Sequence, residues 1–150
     1  MEIREVSYSD IFDDPAFAKA AEDYIRESGN PFIGSVPNPN RNAYEALEES
    51  GVWRCRAAYE GDLLVGFVAV WSMEHFHYGV RVASIETLWL SQEHRKGPAG
   101  LRLIREAKQI AYDMGAVALY ASAPTGSRLS VLLDRIATKT DEVFFFHLKD

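Results

Sequence analysis

The stretch from Val82 to Ala107, VASIETLWLSQEHRKGPAGLRLIREA, constrains the fold more than any other part of the chain. It begins with a strand-like apolar run, continues as a basic turn that contains glycine, and ends in the spacing of an amphipathic helix. Gly115 is the expected end of that helix, and the run AVALYASA at 116–123 predicts a short strand after it. Two strands joined by a helix favour parallel pairing through a right-handed crossover.

The remaining sequence predicts helices and further strands around this unit. A helix is expected over 13–29, capped by Asp13 or Asp14, with Pro15 at its first position and Gly29 after its end. Two more helices are predicted at 41–50 and 126–136, and strands at 1–7, 52–60, 63–76, 80–90 and 142–148. Close turns between the middle strands indicate an antiparallel meander. The fold class is therefore α/β (α+β), with a mixed, mostly antiparallel central sheet flanked by helices.

Length and composition limit the classes of function. A chain of 150 residues with 47% hydrophobic and 25% charged residues predicts one domain over residues 1–150. The single cysteine, Cys55, indicates a reducing compartment, and with a charged N-terminus and no membrane-length apolar run the expected location is cytoplasmic, with no membrane partner. A net charge of −6 argues against general nucleic-acid binding.

A proline- and asparagine-rich segment at 30–42, NPFIGSVPNPNRN, predicts a long loop. Long loops in small domains are frequently functional, so a lid over a binding site is expected here.

The turn after the strand-like run has two interpretations. The structural one is a well-formed helix start, with Pro98 at the first helical position. The functional one is an anion site, in which the N–H groups of Gly97, Ala99, Gly100 and Leu101 meet a phosphate with help from the helix dipole and from Arg95 and Lys96.

The segment IETLWLSQEHRKGPAGLRLI resembles the acetyl-CoA-binding core of the GNAT superfamily of N-acetyltransferases. That core has an R/Q-x-x-G-x-G/A turn between its fourth strand and third helix. Arg95 stands at the R/Q position, Pro98 replaces the first glycine, and Gly100 is the final small residue. The predicted element order over the whole chain also matches that fold.

The resemblance implies that acetyl-CoA is the co-substrate and that no metal is needed. The turn from Arg95 to Leu101 would hold the pyrophosphate, and Leu88, Trp89 and Leu90 would pair their backbone with the pantetheine arm. Losing the Pro98 N–H should cost about 1.5–3 kcal/mol of cofactor binding. This leaves a phosphate site with one donor fewer.

Glu86 is the expected general base. Strict alternation would place Glu86, Leu88 and Leu90 on one strand face, and Ile85, Thr87 and Trp89 on the other. A carboxylate on so apolar a strand needs a task or a cationic partner, and Arg81 or Arg54 are the alternative partners for a structural salt bridge. In the family a glutamate nine residues before the arginine of the turn is often the base. An amine must lose its proton to attack a thioester, which gives this carboxylate a role.

The general acid is less well defined. The tyrosine that family members often carry in the last helix is absent from SRLSVLLDRIA, and Tyr120 on the preceding strand is the substitute. The acceptor is expected to be a small-molecule or protein primary amine, and the acidity of the chain favours a cationic one such as a polyamine or lysine side chain. The alternative function is a catalytically degenerate binding or structural module of the same fold.

Two histidines and the apolar C-terminal run each have two interpretations. His75 and His77 are spaced to share a strand face, but no third ligand at a fitting spacing accompanies them, so a solvated hairpin is favoured over a metal site. The run EVFFFHL at 142–148 predicts a core strand, and as an edge strand it could pair with a second copy, which allows a homodimer. Trp53, Trp71 and Trp89 are expected to pack the sheet.

Overall fold

The computed structural model describes residues 1–148. The sheet strands are β1 (Glu2–Val6), β2 (Trp53–Glu60), β3 (Leu63–His75), β4 (Val80–Leu90) and β5 (Leu119–Tyr120). The α-helices are α1 (Tyr8–Phe12), α2 (Phe17–Ser28), α3 (Arg41–Glu49), α4 (Ala99–Asp113) and α5 (Arg128–Ile136). A 3₁₀ turn at Gln92–His94 connects β4 to α4.

The five strands form one sheet in the order β1-β2-β3-β4-β5. The first four strands pair antiparallel, and β5 pairs parallel with β4 through Ala83–Leu119 and Ser84–Tyr120. The predicted mixed, mostly antiparallel sheet and the parallel pairing across α4 are thus confirmed.

Helices cover both faces of the sheet, and each face has its own apolar core. On one face, Tyr8, Ile11 and Ala20 from α1 and α2 pack against buried residues of β2 and β3. On the other face, Leu103 and Ile110 of α4 pack against buried valines of β3. Leu103 and Ile110 are 0% and 1% exposed. They lie seven positions apart, which is about two helical turns, and so fall on the same side of the helix.

Several helix boundaries differ from the expectation. The helix predicted from residue 13 begins at Phe17 with Ala16 as its N-cap, and Asp14 instead accepts the Ala16 N–H in the turn before it. Residues 8–12 form helix α1, which the sequence analysis missed. Its N-terminus is stabilised by a capping box, in which the side chains of Ser7 and Asp10 each accept the backbone N–H of the other. Helix α4 begins one residue later than expected, with Pro98 as its N-cap.

The predicted strand at 142–148 is wrong: residues 142–148 have no strand structure. A strand needs a neighbouring edge for its backbone hydrogen bonds, and β5 offers two paired residues where eight were expected at 116–123. The phenylalanines of this segment are exposed, and Phe145 stacks on Phe32 of the 30–42 loop instead. Trp53 and Trp89 pack in the sheet core as expected, whereas Trp71 is 47% exposed.

Among residues 1–148, no helix combines the length and apolar character that crossing a bilayer requires.

Candidate active site

A β-bulge in β4 determines where Glu86 lies. Ala69 of β3 pairs with Thr87 and Val70 pairs with Ile85, so Glu86 is the extra residue between them. A bulge interrupts the alternation of side chains and redirects the residues around it. Glu86 and Thr87 therefore both line the cavity beneath α2, whereas Ile85 packs on the α4 face.

The predicted assignment of strand faces is consequently wrong. Glu86 does not share a face with Leu88 and Leu90, which pack with the core under α4. It lies with Trp89 on the face covered by α1, α2 and α3. If side chains alternated without interruption back from Trp89 and Thr87, the Glu86 carboxylate would point away from this face. The bulge therefore directs the carboxylate into the cavity.

The Glu86 carboxylate is held by two neutral donors. Tyr44 Oη donates to its Oε1 at 2.6 Å, and Trp53 Nε1 donates to its Oε2 at 3.3 Å. The cationic partners considered from the sequence are engaged elsewhere, Arg54 with Glu5 and Arg81 with Ser72. Neutral donors orient a carboxylate without neutralising it, so its negative charge stays available to a cationic or proton-donating ligand.

Three tyrosines near Glu86 are kept in their protonated form. Burial first, and the Glu86 charge second, raise the pKa of Tyr44, Tyr24 and Tyr8. Tyr44 and Tyr8 stack in parallel with ring centroids 4.4 Å apart. These hydroxyls can donate hydrogen bonds near neutral pH, but they cannot serve there as bases.

A cavity of about 250 Å³ lies over the Glu86 carboxylate. Its walls come from α1, α2, α3 and the middle strands, and Pro37, Asn38 and Pro39 of the 30–42 loop close part of its rim. The loop expected to act as a lid thus contributes directly to the wall.

The edge of β4 beyond the bulge is unpaired on the β5 side in the described structure, because β5 reaches only Ser84. Ser91 donates its N–H to Val65 of β3, and alternate residues of a strand direct their backbone groups to opposite edges. Leu88 and Leu90 therefore present their backbone to the open edge. Trp89, between them, faces β3 with its backbone and buries its indole.

The open edge leads to the N-terminus of α4. The first intrahelical bond runs from the Arg102 N–H to Pro98 O, and Pro98 makes no side-chain cap. The N–H groups of Ala99, Gly100 and Leu101 precede that bond and are the donors that a helix start leaves without intrahelical partners. Apart from its chain neighbours and the backbone of its own helix, no described atom lies within 4 Å of a Cβ placed on Gly100, so the space beside this turn is open.

Gly97 has a φ of 117°, a conformation that side chains other than glycine rarely adopt, and Lys96 beside it is exposed. The start of α4 beside them is partly covered, with Ala99 buried and Gly100 and Leu101 half-buried, so its free N–H groups and the exposed Lys96 are the features here that suit an anion.

Arg95 is engaged within the protein. Its Nε donates to Leu90 O at 2.8 Å, and its guanidinium forms an ion pair with Glu27 at 2.8 Å. The side chain therefore connects the turn to the end of β4 and to the end of α2.

Tyr120 and the two histidines lie away from the cavity wall. Tyr120 pairs with Ser84 where β4 and β5 separate, and its side chain is 45% exposed. His75 and His77 lie at the hairpin after β3, with rings 5.5 Å apart. Within the described part of the chain, no group of three His, Cys, Asp or Glu side chains is arranged to hold a metal ion.

The sequence analysis assigned no role at the site to the aromatic residues around the carboxylate, namely Tyr8, Tyr24, Tyr44 and Trp53. Tyr24 Oη donates to the Glu86 carbonyl at 3.4 Å. A tyrosine on an apolar face must find a partner for its hydroxyl, and that requirement was the available signal.

The sequence model of the acetyltransferase (GNAT) family matches residues 16–128, which include the bulge, the open edge and the turn. The chain belongs to the GNAT family. It is accordingly an acyltransferase, and the resemblance stated from the sequence is confirmed.

Several solved structures share the fold of this chain. A ribosomal-protein-alanine N-acetyltransferase from Brucella melitensis biovar Abortus 2308 is 19% identical over 97% of this chain and 96% of its own, with a TM-score of 0.70. An aminoglycoside acetyltransferase from an uncultured soil metagenomic sample is 17% identical over 97% and 95% of the two chains, with a TM-score of 0.74. A transcriptional regulator from Bacillus halodurans C-125 is 18% identical over 98% and 99%, also with a TM-score of 0.74.

No curated protein matches the chain in sequence. Identities this low relate the folds and leave the acceptor of this family member open.

Proposed function

We propose that this GNAT protein transfers the acetyl group of acetyl-CoA to a primary amine by direct attack. The observation that carries the proposal is the position of the Glu86 carboxylate. It lies on the wall of a cavity and at the beginning of the unpaired β4 edge, which leads to the uncapped start of α4.

The chain offers complementary groups for the pyrophosphate and the pantetheine arm of coenzyme A. The pyrophosphate would meet the N–H groups of Ala99, Gly100 and Leu101 and the positive end of the helix dipole. Lys96 is exposed beside them and adds positive charge. The pantetheine amides would pair with the backbone of Leu88 and with the N–H of Leu90, whose carbonyl already accepts from Arg95, as an added strand pairs with an edge.

The thioester supplies an activated acetyl group, with a thiol as leaving group. Glu86 would accept the proton that the attacking amine loses, directly or through one water molecule. A nitrogen–carbon bond forms, the carbon–sulfur bond breaks, and the electron pair of that bond leaves with sulfur. Tyr120, at the point where β4 and β5 separate, is the proposed donor of a proton to that sulfur.

Cofactor binding is tested by calorimetry with coenzyme A on a matched pair of variants. Gly100→Asp and Gly100→Asn introduce side chains of almost equal size into the open space beside Gly100, so both should fold. The aspartate variant should bind at least tenfold more weakly than the asparagine variant, because only it carries a negative charge towards the pyrophosphate. Equal affinities for the two variants would place the pyrophosphate elsewhere.

The base is tested by turnover on an accepted amine. Glu86→Gln should lower kcat/KM about 10²- to 10⁴-fold and leave coenzyme A affinity unchanged. Glu22→Gln is the control, since Glu22 is an exposed carboxylate on the same helix as Tyr24. Full activity of Glu86→Gln from pH 6 to pH 9 would rule out Glu86 as the base. No heat of binding at millimolar coenzyme A would instead favour the non-catalytic binding module.

A further inference from the structure

We infer that the acceptor is a small primary monoamine, with one ammonium group on a compact apolar body, rather than a polyamine or another polycation. This inference rests on the proposed function, because it takes the cavity over Glu86 as the acceptor site. Four features of that cavity support it.

The first feature is charge. Among the described residues that line the cavity, Glu86 is the one charged side chain. An ammonium group loses much of its hydration on entering such a space and needs an opposite charge in return. Glu86 can compensate one ammonium, and a second one would be buried without a partner.

The second feature is the aromatic wall around this carboxylate. Tyr44 and Trp53 hold Glu86 by hydrogen bonds and meet edge to face, with ring centroids 5.7 Å apart. Tyr8 stacks on Tyr44, and Phe17 and Phe67 complete the apolar surface. Aromatic faces attract a cation near the carboxylate and also bury an apolar chain.

The third feature is an unpaired hydroxyl on a residue that lines the cavity. The Tyr8 hydroxyl is buried and has no hydrogen-bond partner among the described residues. Buried hydroxyls are normally satisfied, and because this oxygen has less than 1 Å² of accessible surface, it meets a ligand when the Tyr8 side chain turns towards the cavity that it lines. A tyrosine oxygen can accept a hydrogen bond from an ammonium N–H and adds no second charge.

The fourth feature is size. The cavity of about 250 Å³ falls just below the usual range of roughly 300–1,000 Å³ for drug-sized ligands. It therefore suits a short alkylamine or arylalkylamine and excludes a multi-ring sugar unless the 30–42 loop moves away.

The test compares pentylamine with 1,5-diaminopentane, which differ by one terminal ammonium group. Their affinities are measured by calorimetry on the full chain saturated with coenzyme A, a complex that cannot turn over. Pentylamine should bind at least tenfold more tightly, and 2-phenylethylamine should bind at least as well as pentylamine. Equal or tighter binding of the diamine contradicts the inference, and so does failure of both monoamines to bind.

Two variants identify the cause of the preference. Glu86→Gln should abolish monoamine binding, whereas the control Glu22→Gln should not. Asn38→Asp adds a second carboxylate on the cavity rim with almost no change in shape, and it should reduce the preference for pentylamine over the diamine at least threefold. An unchanged preference in Asn38→Asp would show that the number of carboxylates does not select the amine.

The coenzyme A titration distinguishes a wrong acceptor class from a wrong transferase function. If coenzyme A binds and the diamine is preferred, the acceptor class is wrong and the transferase proposal stands. If coenzyme A does not bind, the proposed function fails and this inference fails with it. A lysine peptide that binds more tightly than pentylamine also contradicts the inference, because its flanking backbone would not fit the cavity.

Discussion

Replacing Arg95 by methionine tests whether this side chain holds the turn in place through contacts within the protein or binds the pyrophosphate. Methionine keeps most of the aliphatic length and removes the guanidinium. The change deletes the 2.8 Å hydrogen bond to Leu90 O and the 2.8 Å ion pair with Glu27.

The expected loss of stability follows from these two contacts. A hydrogen bond from a charged donor contributes about 1.5–3 kcal/mol, and the lower end applies because the Arg95 side chain is 29% exposed. A partly exposed ion pair adds about 0.2–1 kcal/mol. The free energy of unfolding should therefore fall by about 2 kcal/mol, which lowers the urea midpoint by about 1 M at a typical slope.

The assay is urea unfolding followed by intrinsic fluorescence, with coenzyme A affinity measured on the same samples. Because the turn loses its connection to β4, that affinity should fall about tenfold, the equivalent of about 1.4 kcal/mol. Glu27→Gln removes the ion pair alone and should cost less than about 1 kcal/mol. Arg105→Met, at an exposed position of α4, is the control for losing a positive charge from this region.

One result would refute the reasoning. If Arg95→Met unfolds at the parental urea concentration and yet loses more than a hundredfold in coenzyme A affinity, the guanidinium binds phosphate and does not hold the turn. If Glu27→Gln destabilises the protein as much as Arg95→Met does, the bond to the β4 carbonyl contributes nothing measurable.

Further predictions concern the turn, the core and an ion cluster. Gly97→Ala should lower the free energy of unfolding by about 1–3 kcal/mol, because its φ of 117° is strained for alanine, and a parental urea midpoint would contradict this. Burial raises the pKa of the Cys55 thiol, so a thiol reagent should label it in urea but not in the folded protein, as mass spectrometry would show. Hydrogen bonds from Lys19 and Arg26 lower the pKa of Asp23 below its ordinary value of 3.8, so the stabilisation is complete above that value and is lost as the pH falls through the lower folded-state pKa. The difference in urea midpoint between the parent protein and Asp23→Asn should therefore be constant above about pH 5 and shrink as the pH falls from there to about pH 2. A difference that stays constant over that range would show that the ionised carboxylate is not its source.

The predictable parts of the fold and site were those encoded in adjacent residues. The spacing of apolar residues in α4, the glycine-containing turn and the close turns of the meander are local patterns, and each predicted its element. Strand 142–148 failed for the opposite reason. Its apolar composition fits a strand, but whether a strand forms depends on an available sheet edge, and β5 provides only two paired residues.

By itself, the sequence determined the order of the elements from α2 to α5, the basic turn at the start of α4 and the presence of a carboxylate in an apolar strand. Only the tertiary structure decided which way that carboxylate faces, because the bulge at Glu86 arises from the register between β3 and β4. The same packing brings Tyr8, Tyr44 and Trp53 together from three separate elements. A cavity wall depends on how distant residues meet, so spacing along the chain specifies its chemical groups without specifying their arrangement.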